Sequence, residues 1–153
     1  MEKEQGKIFG VLSGVSGEYF VAGELSRRGY IASITLRNTK GIDVLVSNVA
    51  ATRQVGLQVK TNHGDRKSWL LNKKAEDYFA DNLFYVFVNL KNNTSRPDYY
   101  IVPSKVVAKH VKNGHVEWLQ TPGKRVEQHS DTPMRMFRDK NGKYLERWEL
   151  LGL

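Results

Sequence analysis

Cysteine is absent from this chain of 153 residues. Its absence excludes disulfide bonds, a thiolate nucleophile and any zinc site that depends on cysteine ligands. A chain without cysteine suits a reducing compartment, and we therefore expect a cytoplasmic protein.

Long apolar runs are also absent. The longest run, residues 83–88, has the length of a strand, whereas a membrane helix needs about 20 apolar residues. Residues 1–7 are charged and lack the apolar stretch of a signal peptide. We therefore expect a soluble, intracellular protein that does not associate with membranes.

Length and composition predict a single domain spanning residues 1–153. Hydrophobic residues make up 40% of the chain and charged residues 26%, so a folded core is expected rather than disorder. The formal net charge is +8 and the pI is about 9.7. A basic protein suits an anionic partner, most commonly nucleic acid, although charge also serves solubility alone.

Hydrophobic periodicity and turn residues predict an order of elements along the chain. We expect a helix over residues 14–29 that stops at a glycine cap, and strands over 30–36, 42–46 and 54–60. A loop over 61–67 and a short helix over 73–81 then precede a buried central strand over 83–90. Further elements are expected at residues 98–102 (strand), 104–111 (helix), 134–138 (strand) and 144–151 (a closing helix with Trp148 on the core).

This order predicts an α/β fold, a three-layer-like sandwich around a central mixed sheet. The first three strands follow one another closely and should form an antiparallel meander. Tyr99 and Tyr100 are adjacent in a strand, so one of them should face the core and the other solvent.

The first predicted helix contains a carboxylate in an unexpected place. At about 100° per residue, Glu18 falls near the centre of an apolar stripe that comprises Val15, Tyr19, Val21, Ala22 and Leu25. A carboxylate facing a core needs a partner or becomes neutral. Glu24 falls on the other side of this helix, where solvent is the simplest surrounding. A salt-bridged position at the domain edge would also explain Glu18.

Two predicted strands direct polar side chains to one side of the sheet. Asp43 lies on the face opposite Ile42 and Val44, and Gln58 and Lys60 share the face opposite Val59. An acid, an amide and a lysine thus emerge from neighbouring strands. A solvated face with an ion pair between Asp43 and Lys60 is the alternative explanation.

In combination these residues resemble the PD-(D/E)XK nuclease superfamily, whose core has the order α-β-β-β-α-β. Three short motifs carry the resemblance in chain order: Gly17-Glu18, Gly41-Ile42-Asp43 and Gln58-Val59-Lys60-Thr61. It covers residues 14–90, which we expect to be the nuclease-like core, with residues 91–153 as an extension. Ile42 replaces the usual proline, and Gly-x-Asp is similar to the motif of Holliday-junction resolvases. Gln58 replaces the usual acid, and Gln-x-Lys is similar to the motif of Mrr-type restriction endonucleases.

The resemblance implies metal-dependent hydrolysis of nucleic acid, with DNA preferred to RNA. Asp43 and Gln58 would hold Mg²⁺ or Mn²⁺ through oxygen atoms, with the backbone carbonyl of Val59 as a further ligand. Glu18 would support the metal, and Lys60 would orient the attacking water or the phosphate. Because an amide carries no charge, we expect weaker metal binding than in a site with two carboxylates. Cutting both strands of a duplex would require a homodimer.

The loop after the Gln-x-Lys motif offers His63, Arg66 and Lys67 as contacts for a nucleic-acid backbone, or is simply polar. Trp69 is assigned to the core rather than to base stacking. His110 and His115 are five residues apart, which does not match a helical metal pair, and they are interpreted as surface or packing residues.

Two other functions are compatible with the sequence. The fold could bind nucleic acid or protein without cutting, because Gln58 weakens the metal site. It could also belong to an accessory or immunity-like protein that has lost the site, in which case the four residues would not meet in space.

Overall fold

The computed structural model describes residues 1–36, 39–125 and 127–153. It is a mixed α/β structure with a five-stranded sheet, a separate two-stranded sheet and two long helices. In chain order, the helices and strands are α1 (Glu2–Arg27), β1 (Ile31–Ile34), β2 (Val44–Ser47), β3 (Gln54–Asn62), β4 (Ser68–Asn72), β5 (Leu83–Asn89), β6 (Asp98–Pro103), α2 (Ser104–Gln120) and β7 (Met134–Arg138). Short 3₁₀ helices occupy Lys73–Glu76, Lys91–Asn93 and Trp148–Leu151.

The large sheet has the strand order β1-β2-β3-β5-β6. Strands β1, β2 and β3 form the expected antiparallel meander. Strand β5 runs parallel to β3, and β6 runs antiparallel to β5. The prediction of a central mixed sheet in an α/β sandwich is therefore confirmed.

The connection from β3 to β5 differs from the prediction. Strand β3 continues to Asn62 into the expected loop, and β4 follows where no strand was predicted. The expected helix over residues 73–81 is a single 3₁₀ turn, Lys73–Glu76. Strand β4 pairs with the distant β7, so its partner could not be identified from nearby sequence.

Both faces of the sheet are covered, which gives two hydrophobic clusters. The first joins Val21 and Leu25 of α1 to inward-facing residues of β2, β3 and β5. The second joins the other face of the sheet to α2, β4 and β7. Strand β5 is buried at every position, as predicted for a central strand. Tyr99 and Tyr100 are both buried on opposite faces, so the expectation that one faces solvent is wrong.

Helix α1 ends as expected but begins much earlier than residue 14. Gly29 has a φ of +88°, and the N–H groups of Gly29 and Tyr30 donate to the carbonyls of Ser26 and Leu25. These two bonds form a Schellman cap, which requires a left-handed residue where Gly29 stands. Upstream, Gly6 and Gly10 concealed the helical pattern, yet the helix extends back to Glu2.

The two faces of α1 also differ from the helical-wheel prediction. Tyr19 is 66% exposed, so it does not belong to the buried stripe. Glu24 is buried rather than solvated, because arginines from two parts of the chain surround it. Its carboxylate accepts hydrogen bonds from Arg27, Arg28 and Arg96. Burial alone would raise the pKa of Glu24, but these hydrogen bonds lower it below its usual 4.5.

The C-terminal part of the chain completes the two clusters. Helix α2 continues to Gln120, well beyond the predicted end at residue 111, whereas β7 has the predicted bounds. The expected closing helix over residues 144–151 is reduced to the 3₁₀ turn Trp148–Leu151. Trp148 packs on the first cluster as predicted. Within the described residues, no helix is long and apolar enough to cross a membrane.

Candidate active site

Asp43 lies directly before β2 and is fixed by its neighbours. Its backbone N–H donates to the carbonyl of Leu57 at 2.8 Å, and its carbonyl accepts the N–H of Thr35 at 3.0 Å. Its carboxylate Oδ2 accepts the backbone N–H of Val59 at 2.7 Å. Strand β2 begins only at Val44, so the Val59 N–H of β3 donates to the Asp43 side chain instead of to a backbone carbonyl of β2.

Strand β3 presents Gln58 and Lys60 on one face, as predicted. Val55, Leu57 and Val59 point the other way into the first cluster beneath α1. Gln58 and Lys60 are partly buried and line a cavity of about 600 Å³ on the opposite side of the sheet. Because successive side chains of β3 point to opposite faces of the sheet, its core residues and its polar residues lie on different faces.

The backbone carbonyl of Val59 points to the same side of β3 as the Val59 N–H, which reaches Asp43. Strand β2 begins at Val44, opposite Leu57, so β2 provides no ladder partner at Val59. In a strand, the N–H and C=O of one residue point to the same side. The N–H of Val59 points to the Asp43 carboxylate. The carbonyl of Val59 therefore points to the same side of β3, beyond the last residue pair of β2 and β3.

Glu18 approaches Asp43 from helix α1. Both residues line a cavity of about 260 Å³, and Glu18 is partly buried there. The close approach of α1 to β3 at this level depends on Gly17. A Cβ at Gly17 would lie 1.9 Å from Oγ1 of Thr61, the residue after Lys60.

The four predicted site residues line two separate cavities. Glu18 shares the smaller cavity with Asp43, and Gln58 and Lys60 line the larger one. Asp43 also acts electrostatically on Tyr78 and Tyr85, which line the larger cavity. Burial, with the Asp43 charge adding to it, raises the pKa of both tyrosines, that of Tyr85 to about 12.

Several residues that line the larger cavity were not predicted from the sequence, among them Lys40, Lys74 and Tyr78. Gly41 was identified as part of the Gly41-Ile42-Asp43 motif, without a structural reason for the glycine. In the structure it has a φ of +75°, and a Cβ there would lie 2.3 Å from the Tyr78 hydroxyl oxygen. The glycine of the Gly-Ile-Asp motif could have indicated a close contact at this position. Tyr78, which makes that contact, is distant in sequence and could not be identified.

The three predicted nucleic-acid contacts lie in the turn between β3 and β4. Arg66 and Lys67 are exposed. His63 is partly buried and packs edge-on against Phe9 of α1, with ring centres 4.6 Å apart. The turn itself is held by Asn62, whose side chain donates to the carbonyls of Arg66 and Ser68.

The aromatic and histidine assignments are confirmed. Trp69 is buried among Phe87, Tyr100 and Phe137, and its indole N–H donates to the carbonyl of Val88. His110 packs against Phe137 and accepts the backbone N–H of Arg138. His115 pairs with Asp131 and stacks on Trp118.

The donor set around Asp43 limits the kind of metal that it could hold. Within residues 1–36, 39–125 and 127–153, no group of three or more histidine, aspartate or glutamate side chains is arranged as a metal site. Among the described residues that line the smaller cavity, Asp43 and Glu18 carry carboxylates, and both would offer oxygen atoms. Such an all-oxygen set suits a hard divalent cation that keeps several of its waters.

Comparison with known proteins gives a likeness in structure alone. The sequence matches no protein-family profile and no curated protein. The fold is similar to the solved structure of I-Ssp6803I, a bacterial homing endonuclease, with a TM-score of 0.54. The two sequences are 15% identical, and the likeness covers 92% of this chain and 90% of that chain. This chain therefore shares its fold with an endonuclease.

Proposed function

We propose that this protein is a metal-dependent nuclease that hydrolyses phosphodiester bonds in nucleic acid, with DNA preferred to RNA. The observation that carries the proposal is the 2.7 Å hydrogen bond from the N–H of Val59 to the Asp43 carboxylate. It fixes an acid beside the strand that presents Gln58 and Lys60. The endonuclease-like fold supports the same function.

Asp43, Gln58 and the carbonyl of Val59 would hold Mg²⁺ or Mn²⁺. When bound, the cation would neutralise charge that develops on the phosphate and acidify a water molecule. Asp43 can accept the Val59 N–H with one oxygen and offer the other to the metal. The single carboxylate predicts weak metal affinity, which Glu18, in the same cavity as Asp43, would strengthen directly or through water.

Lys60 would act on the substrate rather than on the metal. Lys60 lines the larger cavity on the same face of β3 as Gln58. From there it would contact the scissile phosphate or orient the attacking water, because a lysine carries a compact charge with three donors. His63, Arg66 and Lys67 would extend the contact along the nucleic-acid backbone, with His63 fixed against Phe9.

The test is cleavage of plasmid, linear and branched DNA and of RNA with Mg²⁺ or Mn²⁺. Lys60→Ala and Asp43→Asn should each lower the rate by about 100-fold or more. Lys112→Ala, an exposed lysine on α2, is the matched control and should cleave at the wild-type rate. Wild-type protein that cuts none of these substrates would contradict the proposal.

Gln58 favours a second candidate, a module that binds nucleic acid or protein without cutting it. Replacing a carboxylate by an amide removes one charge from the metal site, which weakens the hold on a divalent cation. Gln58→Glu distinguishes the two candidates. Tighter Mn²⁺ binding and faster cleavage in the variant would indicate a working nuclease, and absence of Mn²⁺ binding in both forms would favour the module.

We also propose that the active form is a homodimer, since cutting a duplex needs one site for each strand. The side of α1 away from the sheet exposes Phe9, Leu12, Tyr19 and Phe20. Residues 8–17 contain no charged side chain. A helix that is apolar on all sides is normally buried, and a second copy of the chain would cover this face.

A further inference from the structure

Two lysines in the larger cavity have no part in the proposed catalysis. Lys40 precedes Gly41, and Lys74 lies in the 3₁₀ turn after β4, so separate segments bring them to the cavity that Gln58 and Lys60 line. Both lysines are exposed. Among the described residues, neither has a carboxylate within ion-pair distance, whereas Lys91 and Lys105 pair with Asp98 and Asp81.

Tyr78 adds a neutral hydrogen-bond donor to the same cavity. Its ring lies over Gly41, where only a glycine leaves room for the hydroxyl group. Burial, followed by the charge of Asp43, raises the pKa of Tyr78 above its usual 10.0. The hydroxyl therefore keeps its proton at neutral pH and can donate a hydrogen bond.

The residues that line this cavity accordingly carry a net positive charge. Lys40, Lys60 and Lys74 line it, and Asp77 is the one acid among the described residues that line it. Unpaired lysines beside a hydroxyl donor match the non-bridging oxygens of a phosphodiester. Its volume of about 600 Å³ lies within the usual range for binding pockets, about 300–1,000 Å³.

We propose that Lys40, Lys74 and Tyr78 form a phosphate-binding subsite, which holds the phosphodiester next to the one that is cleaved. The subsite rests on the proposed nuclease function, because it places the substrate backbone across Gln58 and Lys60. It adds three residues that bind substrate and take no part in holding the metal.

The test measures binding of a short fluorescein-labelled DNA duplex by anisotropy, in EDTA so that no cleavage occurs. Each lysine–phosphate contact contributes about 0.9 to the slope of log K against log salt concentration. Lys40→Gln with Lys74→Gln should therefore reduce this slope by about 1.8 between about 50 and 200 mM salt. We expect about tenfold weaker binding at the lower salt concentration.

The matched control is Lys109→Gln with Lys112→Gln. These two exposed lysines line a different cavity, on α2, and their removal changes the net charge by the same amount. The control should shift the slope by less than half as much. Tyr78→Phe should weaken binding several-fold without changing the slope, because it removes a hydrogen bond and no charge.

The outcomes separate this subsite from the nuclease proposal. Loss of binding in the Lys40/Lys74 variant, with no cleavage by any form of the protein, would support the subsite and contradict the nuclease. Cleavage by wild type, with unchanged binding in the Lys40/Lys74 variant, would contradict the subsite alone. Equal slopes in the Lys40/Lys74 and Lys109/Lys112 variants would also overturn it, since the effect would then be one of net charge.

Discussion

The Asp43 side chain has two roles, a hydrogen bond that stabilises the sheet and the proposed contact with the metal. Its carboxylate accepts the N–H of Val59, a partly buried bond that holds β3 where β2 begins. The same group is the acid on which metal binding would depend. Because both contacts use one side chain, a loss of cleavage in a variant is informative only if stability is measured alongside it.

Asp43→Ala and Asp43→Asn should separate the two contacts. Alanine leaves the Val59 N–H without its acceptor, which should cost about 1–2 kcal/mol of unfolding free energy. Asparagine keeps an oxygen in place and should cost less than half of that, yet both variants should lose cleavage. Urea denaturation provides the measurement, and an alanine variant as stable as wild type would show that the hydrogen bond contributes little.

The environment of a single side chain could be predicted from the sequence in some cases and not in others. Gln58 and Lys60 were predicted to share a face of β3, and they do, because strand alternation is a local property. Glu24 was assigned to solvent, yet it is buried. One of its partners, Arg96, lies in a distant loop, and no periodicity within α1 could indicate that arginine.

The ionic cluster around Glu24 predicts a pH dependence of stability. The folded state lowers the pKa of Glu24 below 4.5, so its charge stabilises the fold above that pH, and the contribution is lost as the pH falls through the folded value. Glu24→Gln should cost about 1–2 kcal/mol at neutral pH, since the three arginines remain partly in water.

Thermal melts of wild type and Glu24→Gln between neutral pH and pH 3 test this dependence. The difference in Tm should shrink as the pH falls below the usual range of a glutamate. Glu149→Gln is a suitable control, because among the described residues that exposed carboxylate pairs with Arg147 on the surface. A difference that is constant with pH would indicate that Glu24 acts through packing rather than charge.

At the level of elements, the contact between α1 and β3 sets the position of Glu18. Gly17 allows the helix backbone to rest against Thr61, whose hydroxyl oxygen is buried without a hydrogen-bond partner in the described structure. The contact brings the helix carboxylate to the small cavity beside Asp43. Gly17 was identified from the sequence as part of the motif, without a reason for a glycine there. The structure supplies the reason, because a larger residue would collide with Thr61.

Gly17→Ala and Gly23→Ala should therefore change stability in opposite directions. A methyl group at Gly17 meets Thr61, so α1 must shift, and the cost should be about 1–3 kcal/mol. Gly23 has open space around its Cα, and alanine there should stabilise the helix by about 0.5–1 kcal/mol. Denaturant unfolding of both variants gives the comparison, and stabilisation by both would contradict the close contact.

Elements were predicted best where their partners are near in sequence. The meander of β1, β2 and β3 and the central strand β5 were recovered because each shows its pattern within a few residues. Strand β4 was missed, since its five residues pair with β7 near the other end of the chain. The division into a core over residues 14–90 and an extension remains a prediction.

At the level of the whole molecule, the exposed face of α1 is the clearest candidate for self-association. Phe9, Tyr19 and Phe20 are 51%, 66% and 45% exposed. Covering them would bury about 250–400 Å² of aromatic surface in each copy. A stable interface needs about 800 Å² per partner, so these rings would supply a third to a half of it.

Tyr19→Asp should shift the protein from dimer to monomer in sedimentation velocity experiments at micromolar concentration. A charge at the centre of an apolar interface is costly to bury. Val49→Asp is the matched control, because Val49 is 75% exposed and lies outside α1, in the turn between β2 and β3. Monomeric wild-type protein, or equal dissociation of both variants, would place the interface elsewhere or exclude it.

The pairing of β4 with β7 also has a consequence for synthesis on the ribosome. Trp69 and Leu71 leave the exit tunnel long before Phe137, which packs against Trp69. During that interval β4 has an unpaired edge, and its two large side chains lack part of their cover. The second hydrophobic cluster is therefore completed late, and a ribosome that stalls before β7 would release a chain prone to aggregation.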